Sequence, residues 1–473
     1  MTARLPDGFT VRLNRHTRVV DHGAVLVGGS PTRISRLKPL ARGRIHAGEL
    51  TVSDAATRAL ADHLLATGMA DPVVHALPAV DLSTATVVVP VRDRPRQLDR
   101  LLAGIGGALP VIVVDDASED PAAVAAVVTR HGAQLVALER NLGPAGARNA
   151  GLAQVSTPFV VFVDSDVVVE PAAIELMLRH FADPALAMVA PRVLGLAGGE
   201  DTGTAAAAAN WITRYEDARS SLDLGSDSST VRPRSPVTWV SSTCLVARVE
   251  ALGAGFDASM RVGEDVDLVW RLVEEGRRVR FEPAASVRHE HRSTLRAWLG
   301  RKFFYGTGAH PLAVRHPDDI APVVLPPWGA AVLVALAAQR RWSIPVAALV
   351  LVATVLRIGR RATAVRHPYR LASRLAGYGF IGAIAQGFAL LLRHWWPLTA
   401  IGCLGSRRVR RAVVVASLAD TAWEFARTRP QLDPVRFGIA RRLDDAAYGA
   451  GVWWSAIRGR SPKALLPDLR RRH

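Results

Sequence analysis

At 473 residues the chain has room for about two to four domains. Its formal net charge of +17, with Arg greatly outnumbering Lys, favours anionic partners: phosphate groups, acidic lipid or nucleic acid. Two distant cysteines, Cys244 and Cys403, exclude a disulfide framework and a Cys-based zinc site and suit a reducing cytosol.

The N-terminus, Met1-Thr2-Ala3-Arg4-Leu5-Pro6-Asp7-Gly8, has no apolar h-region, so no cleaved secretory signal is expected. Residues 1–80 read as a small α+β module. Val11–Leu13 and Ala24–Val27 are strand candidates, linked through the turn signal Asp21-His22-Gly23. Ala56–Thr67 reads as an amphipathic helix that stops near Gly68.

From Ala85 the pattern changes. Apolar runs at Ala85–Val91, Val111–Val114, Gln134–Leu138 and Phe159–Val163 alternate with helical patterns at Pro95–Ile105, Pro121–His131 and Ala145–Gln154. Continuous apolar strands alternating with helices predict βαβ units on a mainly parallel, Rossmann-like sheet. Ligands of such sheets sit beyond the carboxyl ends of the strands. Those ends carry Arg92 and Asp93; Asp115 and Asp116; Asn141 and Gly143; and Asp164 and Asp166. Arg148 and Asn149 follow on the third helix. Asp164 and Asp166, spaced i, i+2 in extended chain, point the same way. Two anions so placed want a cation between them, and Mg²⁺ or Mn²⁺ suits oxygen ligands. Taken alone, the same residues read as a solvated turn, and Asp115–Ser118 as a turn with a helix N-cap.

Further on, Gly263-Glu264-Asp265 opens a helix with the apolar face Val266, Val269, Trp270 and Val273. Acids in a first turn are favoured by the helix dipole whether or not they react. Val287-Arg288-His289-Glu290-His291 follows the strand candidate Val279–Phe281.

Val88-Val89-Pro90-Val91, Val113–Ser118, Ala147-Arg148-Asn149-Ala150-Gly151 and Asp164-Ser165-Asp166 stand in the order of a known family. Over roughly residues 84–310 the chain resembles the family 2 inverting glycosyltransferases, which implies a GT-A fold. The resemblance implies Pro90, Arg92, Asp116, Arg148, Asn149 and Asp164 around the nucleotide sugar. It implies Asp164, Asp166 and His289 around a divalent metal, with His289 preferred over His291. It implies Asp265 as the base that deprotonates the acceptor hydroxyl, with Glu264 beside it; spacing does not decide which of the two acts. The segment holding Trp239, Ser241 and Ser242 is expected to line the acceptor site. The Gln-x-x-Arg-Trp pattern of the family's processive synthases is absent, which argues against a polymer-extruding enzyme.

The N-terminal module resembles the PqqD-like peptide-recognition domains, implying a peptide or partner protein there. Arg296, Arg301, Lys302 and Tyr305 read as a basic, aromatic helix for diphosphate or acidic lipid. After Pro326-Pro327, apolar runs at Trp328–Ala338, Ile344–Leu356 and Leu375–Leu392 predict a helical, membrane-associated region, with Trp395-Trp396 as an interfacial anchor. Arg407–Arg411 and Arg470–Arg472 suit anionic lipid on a cytoplasmic face. A PqqD-like start joined to this tail resembles the family members that serve mycofactocin systems. That implies UDP-glucose as donor and a peptide-derived redox cofactor, premycofactocin, as acceptor. Two other readings compete. One is a cell-envelope rhamnosyl- or galactofuranosyl-type transferase acting on a lipid-linked glycan. The other is a basic nucleic-acid-binding protein. It fits poorly, because the arginines are scattered rather than interleaved with aromatics and the Asp-rich strand ends would repel phosphate.

Overall fold

A computed structural model describes residues 4–196, 210–362 and 365–469. The basic run Arg470–Arg472 lies outside the described residues. The chain divides into two compact units, Met1–Asp201 with Ser220–His291, and Thr202–Arg219 with Arg292–His473.

The first unit is built on one sheet of mostly parallel strands. We label the long ones β1 (Ala85–Val91), β2 (Val111–Asp115), β3 (Gln134–Ala137), β4 (Phe159–Val163), β5 (Leu186–Gly195), β6 (Cys244–Arg248) and β7 (Arg278–His289). Their order across the sheet is β7-β5-β6-β4-β1-β2-β3, with the short strand Val167–Val168 on the outer edge of β7. Strands β4, β1, β2 and β3 run parallel, as do β5 and β7. Strand β6 is antiparallel to both neighbours. Helices α1 (Pro95–Ile105), α2 (Pro121–Arg130), α3 (Gly143–Leu152) and α4 (Pro171–Arg179) fill the crossovers. Each has Pro in its first turn, where a missing N–H costs nothing. The core on one face of the central strands gathers Val87, Val89, Val113, Val161 and Val163, with Leu98, Leu101 and Ile174 from the helices packed on it. This is the Rossmann-like sheet expected from the continuous apolar runs, with the GT-A architecture that the family resemblance implies. The α5 helix (Glu264–Glu274) lies beyond β6 in sequence.

The N-terminal module contains six short strands in two three-stranded sheets and one capped helix, Ala55–Thr67. Its own core joins Phe9, Val11, Leu50, Leu64, Leu65 and Met69. Strand β7 and the preceding segment fasten it to the sheet. Arg278 pairs with Asp62, Arg280 Nη2 reaches Asp71 at 2.5 Å, and Arg232 Nη2 donates to Ala66 O at 2.8 Å.

The second unit is helical. Its elements are Trp211–Arg219, α6 (Leu295–Thr307), α7 (Ala309–Arg315), α8 (Pro327–Ala337), α9 (Ser343–Arg361), α10 (Pro368–Ala389), α11 (Trp396–Gly405), α12 (Arg407–Thr428) and α13 (Pro434–Arg458). Tyr215, Trp298 and Phe437 form a buried aromatic centre. Lys302, read from sequence as a phosphate or lipid contact, is instead buried, 2.9 Å from Glu216 and 3.6 Å from Asp444. A buried ammonium needs such carboxylates, and these came from helices far away in sequence. Among the described residues, two helices are long and apolar enough to cross a membrane by length and composition: Ser343–Arg361 and Pro368–His394.

Candidate active site

All the site residues expected from sequence lie in the first unit, and most come from the carboxyl edge of the sheet. Parallel strands β1, β2 and β4 end together and bring Arg92, Asp116 and Asp164 to one edge. Pro90 lies inside β1 opposite Val114, where a proline's missing N–H falls near the strand end.

Asp116 is buried, and its carboxylate accepts the backbone N–H groups of Leu142 at 2.6 Å and Gly143 at 3.0 Å. Gly143 adopts φ 76°, and a Cβ there would meet Arg261 Nη1 at 2.8 Å, so glycine is required to open α3 at this point. Burial pushes the Asp116 carboxyl up; the two amides, Arg92 and Arg261 hold it back. Asp115 serves its own turn, accepting from Ser118 N and Oγ.

Arg148, on α3, is 3% exposed and bridges two acids. Its Nη2 donates to Asp164 Oδ1 at 2.6 Å and its Nη1 to Glu264 Oε1 at 3.1 Å, while its guanidinium lies over the Phe256 ring. Asn149 spends both ends of its amide on the Phe256 backbone, donating to its carbonyl at 2.7 Å and accepting its N–H at 2.9 Å. It thereby pins the turn that leads to α5.

Gly263, at φ 80°, turns the chain sharply into α5 and sets Glu264 and Asp265 in its first turn. The two neighbours have different surroundings. Glu264 is neutralised by Arg148. Asp265 accepts the Val266 N–H at 2.8 Å and the Ser242 N–H at 3.4 Å. Part of its surface stays accessible although protein packs closely around it. Burial pushes its carboxyl up to about 7, and the charge of Glu264 adds to that push.

Ser242 is buried behind Asp265; Ser241 Oγ and Thr243 Oγ1 share a hydrogen bond at 2.7 Å; Trp239 is partly exposed on the same segment. Trp270 Nε1 donates to Thr238 O at 2.8 Å and fastens this segment to α5. The run 239–243 precedes β6 rather than forming part of it, since pairing begins at Cys244.

Strand pairing also brings His289 to Asp166. Val167, directly after Asp166, pairs with His289 at the end of β7. His289 Nε2 stands 3.5 Å from Asp166 Oδ1. His291 lies near, with the two rings 6.4 Å apart. Arg94, at the start of α1, forms an ion pair with Asp166. Among the described residues no three metal-ligating side chains close on one point. Asp164 faces Arg148, whereas Asp166 faces His289 and Arg94. Sequence reasoning missed Arg94 and Arg261. Arg94 stood two residues beyond a residue already singled out; Arg261, 3.2 Å from Asn141 Oδ1, carried no local signal.

Comparison with known proteins decides the family. The family model described as glycosyl transferase family 2 matches residues 86–227, and that of glycosyl transferase family group 2 matches 159–396. The pre-mycofactocin glycosyltransferases of two Mycobacterium tuberculosis strains are 40% identical to this chain over 99% of its length and 100% of theirs. The chain belongs to glycosyl transferase family 2. This family 2 glycosyltransferase is also 25% identical to the poly-beta-1,6-N-acetyl-D-glucosamine synthase of Staphylococcus aureus, over 43% of this chain and 48% of that one. Among solved structures, a Pyrobaculum calidifontis mannosyltransferase complexed with GDP-Man and Mn²⁺ aligns over 64% of this chain and 86% of that one, at 20% identity and a TM-score of 0.36.

Proposed function

We propose that this enzyme transfers a hexose, glucose from UDP-glucose, to a hydroxyl of pre-mycofactocin in mycofactocin biosynthesis, with inversion at the sugar carbon. The observation that carries this reading is the 40% identity to the pre-mycofactocin glycosyltransferases, which spans the N-terminal module, the sheet and the helical tail alike. Asp116 and Arg92, with Pro90, hold the base of the nucleotide; Asp164 receives the ribose beside Arg148. Asn149 positions the Phe256 turn rather than touching the donor. Trp239, Ser241 and Ser242 flank the acceptor.

Asp265 takes the acceptor's hydroxyl proton. The freed oxygen forms its bond to the anomeric carbon as the bond to the diphosphate breaks, so one displacement inverts the configuration. A carboxyl held near 7 is a suitable base, because it is ionised in a useful fraction and still draws the proton. Glu264, tied to Arg148, orients the acceptor.

Asp166 and His289 would hold a divalent ion: Asp166 Oδ1 and His289 Nε2 converge at 3.5 Å while Arg94 keeps the other carboxylate oxygen, and Mg²⁺ is commonly bound through one or two carboxylates plus substrate phosphates. Such an ion supplies charge neutralisation for the departing diphosphate. The apolar helices α9 and α10 support association with a membrane, and the enzyme is assigned to its cytoplasmic face. The N-terminal module is assigned the peptide part of the acceptor or a partner protein.

The test is mass spectrometry of pre-mycofactocin incubated with the purified chain, Mn²⁺ and competing UDP-sugars. A single hexose added from UDP-glucose supports the reading. An unchanged acceptor with every donor sinks it.

A further inference from the structure

Between Asp319 and Asp420 the sequence contains thirteen arginines, no lysine and not one carboxylate. Six of these, Arg357, Arg360, Arg361, Arg366, Arg370 and Arg374, gather where α9 ends and α10 begins. The helix dipole accounts for only two of them, Arg360 and Arg361. Cations in the last turn of α9 are favoured, but Arg370 and Arg374 sit in the first turns of α10, where a positive charge opposes the dipole. Among the described residues no ion pair joins Arg357, Arg360, Arg361, Arg370 or Arg374 to a carboxylate. Charge placed against a dipole and left without an internal partner asks for an anion from outside.

The two helices pack tightly at this end. A Cβ on Gly359 would lie 2.4 Å from the Tyr369 ring, so the close approach needs glycine there. Ala353, Leu356, Arg357, Arg360 and Arg361 recur at helical spacing along one exposed face of α9 and line a groove of about 320 Å³. Below the arginines the face is apolar. Leu349 is 67% exposed, and Val352, Tyr378 and Ile381 are exposed with it. A polyanion in water would match the arginines and leave the apolar face uncovered. A phospholipid matches both, with its phosphate on the guanidinium groups and its chains along the helices.

We propose that the end of the α9–α10 hairpin is a binding site for anionic phospholipid headgroups, with Arg357, Arg360 and Arg361 as its phosphate-binding cations. It rests on the membrane association proposed above and specifies the lipid chemistry that the membrane must present. It does not depend on the identity of the donor or acceptor sugar.

The experiment floats the full chain with vesicles of neutral phosphatidylcholine, or of the same lipid mixed with phosphatidylglycerol, over a range of salt. Binding is expected to favour the anionic vesicles and to weaken with salt. R357Q/R360Q/R361Q is expected to lose about a hundredfold in affinity for them, at roughly 1 kcal/mol for each basic residue near the surface. A variant that removes the same charge from the exposed N-terminal module, R33Q/R36Q/K38Q, is expected to bind as the parent does. Glycosyl transfer in detergent, scored separately, is expected to be equal in the parent and R357Q/R360Q/R361Q, so a failed lipid site is not confused with a failed enzyme.

Equal binding to neutral and anionic vesicles keeps the membrane association and overturns the headgroup site. No binding to either vesicle overturns both. An equal loss in the N-terminal variant makes the effect one of net charge and overturns the site. Displacement by excess inorganic phosphate at constant ionic strength assigns it to free phosphate. Equally tight binding of a random DNA duplex through the same arginines makes it a polyanion site. Either result also overturns the proposal.

Discussion

Arginine serves opposite ends in two regions of this chain. At the carboxyl edge of the sheet, Arg148 is enclosed between Asp164 and Glu264, and Arg94 is paired with Asp166. Positive charge there is internal, fixed, and matched to acids that the same fold assembles. In residues 320–419 thirteen arginines stand with no acid in the segment, six of them at one end of a hairpin whose flanks expose leucine, valine and tyrosine. The first arrangement makes a site whose electrostatics depend on each partner staying in place. In the second, Arg393 is paired with Asp444 and Asp445, whereas Arg357, Arg360, Arg361, Arg370 and Arg374 make no ion pair among the described residues and take their counter-charge from outside. Formal net charge alone does not separate them: the +17 of the chain is the sum of both.

The comparison predicts large effects at the first region and graded ones at the second. The largest is Asp265→Asn. Removal of a positioned base costs about 10²–10⁴-fold in rate. We expect kcat to fall by that range while UDP-sugar affinity, read by calorimetry, stays nearly unchanged. Asp166→Ala, or chelation of the parent by EDTA, should abolish metal-dependent donor binding; Mn²⁺ should restore the parent and not the variant. Arg148→Met leaves Asp164 and Glu264 without their shared cation. Breaking a buried pair costs about 3–5 kcal/mol, so its unfolding midpoint in denaturant should drop accordingly, whereas single substitutions such as Arg357→Gln should leave that midpoint unchanged.

The smallest effect concerns pH. The folded-state carboxyl of Asp265 is raised to about 7, so kcat/KM should climb through that pH and level off above it. Glu264 contributes to the rise through its charge; Glu264→Gln should therefore move the climbing limb to lower pH. The same shift has a stability sign. An acid whose folded pKa lies above its unfolded value binds more protons when folded, so its contribution to stability falls as pH rises from about 4 through 7. Glu264→Gln should flatten that fall in a series of melts.

The sheet was legible because its strands are buried on both faces and so read as unbroken apolar runs. The order of strand ends followed from the βαβ rule, and Asp116, Asp164 and Asp166 came with it. Three features were not legible. Strand β7 was read only as Val279–Phe281, because Pro283 breaks the run; in the fold a register irregularity opposite Pro191 and Arg192 absorbs Pro283, Ala284 and Ala285, and the strand continues to His289. The roles of Arg94 and Lys302 depend on partners tens to hundreds of residues away, Asp166 for one and Glu216 and Asp444 for the other. No local pattern encodes such pairings. Helices α12 and α13 lacked a clear apolar stripe, since much of their burial is polar: Arg441, Asp444 and Asp445 are all buried on α13.

The measurement that tests the account most directly is the configuration of the new glycosidic bond, read by NMR on product made from UDP-glucose. One base at Asp265 and one displacement predict inversion, a β-linked hexose from the α-linked donor, with no product from Asp265→Asn. An α-linked product, or full activity in that variant, would contradict the mechanism assigned to this site.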